Sequence, residues 1–303
     1  MAISSAPIRA TFNMGAMNNK RLLRLNAGFS LIEIIVAILI MSIISIGLIR
    51  FIINSAEGYS VAATRNQVSS AGRVVIDRIS MELHNALPNS VRITPATPVV
   101  LSGGEQCIEF IPVIAATTYI NPRFRPPAST GFDVLEFIPD QNAAEADYPA
   151  LYVAIYPSRV NEIYDASRQL AGGRGPIAEV TAVTDIGGYT DNLAIVSHRF
   201  NRRSRSDRAF LIEQPVSFCV SQNKVYRYAN YGFVNAQLTP AGLPATTPDR
   251  VLITTLMDNE SFIAFDYVQA SRRRNGVVQM EMNFAMDDES VLLNHEVLLQ
   301  SAP

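Results

Sequence analysis

The chain has 303 residues, 48% hydrophobic and only 17% charged, enough to bury a sizeable core in one large domain or two small ones. Its net charge of −2 hides an uneven distribution: Arg9, Lys20, Arg21 and Arg24 stand among the first 28 residues with no acid, so 21 of the 25 basic residues face all 27 acids in the remainder. That acidic body has no electrostatic footprint for DNA or RNA, which excludes nucleic-acid binding as a function class.

The first predicted element follows the basic leader. Residues 29–49 form an apolar run in which Glu33 is the only charge, and as a helix of about 30 Å they cross a hydrocarbon core. Basic residues precede the run and are sparse after it until Arg50 and Arg65. The positive-inside rule therefore keeps the N-terminus cytoplasmic and translocates the rest. A cleaved secretory signal has a shorter apolar region, about 7–15 residues, with small residues after it. Here Ala27 and Gly28 come before the run. A plain uncleaved anchor explains the hydropathy but not Glu33, because a charge near the bilayer centre costs about 2.5–3.5 kcal/mol on insertion scales.

An apolar stripe then continues at spacings of seven, three or four through Val61, Val68, Ala71, Val75, Ile79, Leu83 and Ala86. It predicts one helix from Phe29 to about Leu87, ended by Pro88, with an amphipathic second half. Beyond Pro88, short apolar runs are broken by turn residues. "CIEFIPVI", "FDVLEFI", "LYVAIY", "NLAIVSH", "VSFCVS", "KVYRYA", "RVLITTL", "FIAFDYV", "VVQMEMNF" and "VLLNHEVLL" read as strands, several of them alternating as half-buried antiparallel strands do. "SRRRNGVVQMEMNF" predicts a hairpin with a type I′ turn at Asn275-Gly276. "DQNAAEADYPA" and "TPAGLPATTPD" read as loops. No internal repeat is visible, so a single α+β body is expected after the helix.

"GFSLIE", with a basic leader before it and a span after it, resembles the type IV prepilin signal of pilins, minor pilins and type II secretion pseudopilins. The resemblance implies that a membrane prepilin peptidase cuts between Gly28 and Phe29 and methylates the new amine of Phe29. Glu33, one helical turn along, then becomes the counter-charge to such an amine, on its own helix or a neighbour's; paired charges are tolerable in low dielectric where lone ones are not. The sequence departs from the common pattern in having Asn26 and Ala27 before the glycine and Arg50 where major pilins usually carry a proline. The second departure points to a minor subunit. "RISMELHNALPNSVRI", "CIEFIPV", "PVSFCV", "VYRY" and the closing "SVLLNHEVLLQSAP" are similar, in order, to minor pseudopilins of mannose-sensitive haemagglutinin (MSHA) type pili.

These readings place Cys107 and Cys219 in an oxidising periplasm, where they form one disulfide or remain two buried thiols. No base stands beside either for catalysis. His84, His198 and His295 stand alone, without metal-ligand spacing. No nucleophile elbow or phosphate loop is present, and "AGGRGP" and "LSGGE" read as turns. "MDDES" lacks the alternating ligands of a calcium loop. The basic runs "RFNRRSRSDR" and "SRRR" read as solvated turns, with an acidic partner as the alternative, and the tyrosines of "VYRYANYGF" as strand packing.

The expected organisation is a leader (1–28), a transmembrane or filament-core helix (29–53), an amphipathic continuation (54–88) and a periplasmic β-rich head (89–303). The expected function is that of a non-enzymatic pilin-like subunit in a bacterial inner membrane, with no cofactor or metal and no catalytic residue. Its expected partners are the prepilin peptidase, other major and minor pilins or pseudopilins, and the pilus assembly platform. The alternatives are a J-type pseudopilin of type II secretion, or a membrane-anchored periplasmic binding protein or enzyme.

Overall fold

The computed structural model describes residues 29–95, 105–136, 151–258, 263–271 and 274–300. The chain divides into two compact units, Met1–Glu57 and Gly58–Pro303. The segments 101–104 and 140–150, read as a turn and a loop, and the triplet's Arg272 and Arg273 lie outside the described residues.

Helix α1 spans Leu31–His84. Its apolar run contains two serines whose hydroxyls donate to the carbonyls four residues back, Ser42 to Ile38 and Ser45 to Met41, both at 2.7 Å. This satisfies them without water, as a span requires. In the second unit the buried face of α1 is Val68, Gly72, Val75, Ile76, Ile79, Ser80 and Leu83. The predicted stripe therefore holds from Val68 onward, while Val61 is exposed and Ala71 only half-buried. The helix also ends three residues earlier than expected. Asn85 and Ala86 close it with amides bonded three residues back, and the Leu87 amide donates instead to Ile111 O at 2.8 Å. A tertiary hydrogen bond thus ends the helix before Pro88 does.

Five strands form one sheet in the order β1 (Arg92–Thr94), β2 (Gln106–Phe110), β10 (Val216–Ser221), β11 (Lys224–Tyr228), β12 (Arg250–Thr254). Three more, β13 (Phe265–Val268), β14 (Val277–Met286) and β15 (Glu289–Leu298), make an antiparallel meander. The two sheets and α1 share one core, in which Val68, Val75, Ile79 and Leu83 meet Ile108, Phe110, Phe218, Phe265, Met282 and Phe284. Each such fully buried side chain contributes about 1.5–3 kcal/mol.

The remaining strands are β3 (Val113–Ile120), β4 (Ser129–Leu135), β5 (Tyr152–Ile155), β6 (Arg174–Gly175), β7 (Ile177–Asp185), β8 (Thr190–Phe200) and β9 (Arg208–Ile212). Their order is β4-β3-β9-β5-β7-β8-β6, and β4 pairs β8 as well. Six of them therefore close into an antiparallel barrel, with β6 added alongside β8. Phe132, Val134, Val153, Ile155, Leu193, Phe200 and Leu211 share one core. The alternate residues Ala154, Phe210 and Ile212 pack in another, with Leu87, Ile111 and Tyr164. Strands β5 and β9 are thus buried on both faces. One turn departs from expectation: Asn275 and Gly276 do not have positive φ. The β13–β14 hairpin turns further back, around the Ser271–Arg274 bridge, and Gly276 O already accepts from the Leu299 amide.

Candidate processing and assembly site

Phe29 and Ser30 precede the helix, and the Ser30 carbonyl accepts the Ile34 amide at 3.2 Å as the first hydrogen bond of α1. Ser30 is thus the N-cap and Glu33 stands three residues on, the Ser-x-x-Glu spacing of a capping box. A carboxylate in the first turn also complements the helix dipole. Phe29 and Glu33 are four residues apart in sequence, and both are exposed, Phe29 at 77%. The large apolar residues from Leu31 to Ile53 are exposed as well, and the segment is long and apolar enough to cross a membrane. Gly28 lies outside the described residues.

The other singled-out residues lie within the head. Cys107 and Cys219 are directly opposite on β2 and β10, with Cα atoms 4.1 Å apart, and form a disulfide. Of the two outcomes the sequence left open, the structure has the disulfide. Cross-strand placement brings them together although 112 residues separate them. His198 is fully buried on β8; its Nε2–H donates to Gly175 O at 3.1 Å, and Nδ1 has no partner. Burial pushes its pKa below the ordinary value of 6.5, against the weaker pull of that hydrogen bond. His84 donates from Nδ1 to Ser80 O, and His295 is exposed. Among the described residues, no group of three or more His, Cys, Asp or Glu converges as metal ligands do.

The most perturbed polar cluster was not visible in sequence. Glu109 is 1% exposed and pairs with Arg92 at 2.6 Å. Desolvation raises its pKa, while Arg92 and the Tyr231 hydroxyl pull it down. Every other contact of Arg92 is structural: Asn235 O and Val234 O accept from its two terminal nitrogens, and its guanidinium lies 3.6 Å from the Tyr164 ring centroid. With one bond from each guanidinium nitrogen to carboxylate or backbone, Arg92 clamps β1 and β2 to the 231–235 segment. A second tie, from Arg227 on β11 to Glu82 at 3.0 Å, fastens the head to α1. The tyrosines of "VYRYANYGF" are packing groups: Tyr228 is buried, and Tyr231 bonds Ser217 and Glu109.

One comparison with known proteins bears on this geometry. A family model described as the prokaryotic N-terminal methylation motif matches residues 23–49. No curated protein and no solved structure matches the chain. The motif ends within the exposed apolar half of α1, and an antiparallel β-rich head follows it. The match supports the type IV pilin and pseudopilin family, whose chains are processed by prepilin peptidase.

Proposed function

We propose that the chain is a minor pseudopilin of an MSHA-type type IV pilus, of the MshO kind, acting at the start or tip of the filament. The observation that carries the pilin-like part is the methylation motif over 23–49, running into an exposed apolar helix that opens on Ser30 and Glu33. The MshO assignment rests on the ordered short motifs from "RISMELHNALPNSVRI" to "SVLLNHEVLLQSAP", and the minor role on Arg50. In this reading the precursor inserts with its basic leader in the cytoplasm. Peptidase cleavage after Gly28 leaves a cationic, N-methylated amine on Phe29. Glu33 holds such an amine by charge while the helix leaves the lipid for a bundle of pilin helices. The head's structure serves presentation and docking, not catalysis.

Mass spectrometry of the mature N-terminus tests the first step: the expected peptide begins at methylated Phe29, and a chain retaining residues 1–28 sinks the reading. Glu33→Ala is expected to leave that peptide intact while removing the chain from sheared filaments. Filament loss without an enzyme-export defect in a deletion strain separates a pilus role from type II secretion.

A further inference from the structure

We propose that one end of the barrel is a basic docking surface, and that its partner is the acidic β14–β15 hairpin of a second copy of this chain. The basic end is built by two connections. The segment after β3 carries Arg123 and Arg125, and the turn from β8 to β9 carries Arg202, Arg203 and Arg205, with Arg208 opening β9. Pairing of Thr118 with Arg208 puts them at the same end of the barrel. Tyr119 then ties them: its amide donates to Asp207 O at 2.8 Å, and its hydroxyl accepts from the Ser204 amide at 3.0 Å. Two of the arginines are matched within the chain, Arg203 by Asp207 at 3.0 Å and Arg202 by Glu162 at 3.8 Å. Arg123, Arg125, Arg205 and Arg208 are exposed, and among the described residues none forms an ion pair.

The opposite charge is equally concentrated. From Asn275 to the last residue the chain holds Glu281, Asp287, Asp288, Glu289 and Glu296 and no lysine or arginine. Asp287 and Asp288 form the exposed turn between β14 and β15, and Glu296 is exposed along β15. Among the described residues none of the five forms an ion pair, so neither patch neutralises the other within one copy. The two patches sit on different sheets, the barrel and the meander. A contact between them is head to tail: each copy offers both halves, and the contact extends unless its rotation closes. Exposed ion pairs are individually weak. Such a contact therefore acts where copies are already confined, as by a shared membrane, and their effective concentration is high. It then selects the register of one head against the next. This inference stands on the head's charges and does not require the processing reading.

The test uses full-length chains co-expressed in a membrane, one carrying Ser206→Cys beside the basic turn, the other Ser290→Cys beside the acidic turn. A short bismaleimide is expected to link this pair several-fold more than either reporter with itself. Linking should fall toward background in about 1 M salt, where screening length shrinks to about 3 Å. Arg205→Glu with Arg208→Glu on the first chain, or Asp287→Lys with Asp288→Lys on the second, is expected to abolish linking. Combining both reversals restores it. Retained folding of each variant is read from resistance of the head to limited proteolysis, which should match wild type. Equal linking in all pairings, insensitivity to the single reversals, or no restoration in the double reversal overturns the proposal.

Discussion

At the scale of single residues, the same side-chain type does different work in different surroundings. Glu33 and Glu109 are both acids in apolar company, but Glu109 has Arg92 and Tyr231 within its own fold. Glu33 sits on an exposed first turn, where it complements the helix N-terminus. His198 is the clearest titrating liability. Its folded pKa is depressed below 6.5 by burial, so its contribution to stability is present above pH 6.5 and is lost as pH falls through the lower folded value. Urea unfolding midpoints should therefore drop on acidification from pH 7 to below 6, and His198→Gln should flatten that part of the profile. Glu109 has the opposite sign: its raised pKa contributes stability present below 4.5 and lost as pH rises through the folded value. The difference between wild type and the His198 variant isolates the histidine.

At the scale of elements, α1 shows why a helical glycine needs its neighbours to be understood. A Cβ on Gly72 would lie 2.7 Å from Phe284 and 2.8 Å from Leu293, whereas nothing lies within 4 Å of one on Gly58. Gly72→Ala gains about 1 kcal/mol of helix propensity but overpacks a closed core at about 1–3 kcal/mol. It is expected to lower the melting temperature, while Gly58→Ala raises it slightly. The disulfide is the other element-scale tie. It closes 112 residues between β2 and β10, which the chain-entropy argument values at up to about 5 kcal/mol. Cys107→Ala with Cys219→Ala should unfold at markedly lower urea, as should the wild-type chain after reduction. Ten candidate strands were visible from alternation and turn residues, and each coincides at least in part with an observed strand. Strands β1, β6, β7 and β9 were not singled out. Arg208, within the basic run, opens β9, and that hid the strand's start.

At the scale of the whole molecule, the apolar half of α1 predicts behaviour in lipid. After an alkaline carbonate wash the chain should remain in the membrane pellet and leave it only with detergent, because about 20 apolar residues bury a span that high pH does not expose. Sequence alone determined the features written locally: the basic leader, the apolar run with its single acid, the amphipathic continuation, and most strands of an α+β head. Each needs only near neighbours to be expressed, since periodicity and charge count act within a few turns. Tertiary structure decided the rest: closure of six strands into a barrel by the β4–β8 pairing, the Arg92–Glu109 clamp, the end of α1 at the Ile111 carbonyl, and the Cys107–Cys219 bond. These join groups 17 to more than 100 residues apart. Their energies depend on burial and alignment, which no local pattern of residues encodes.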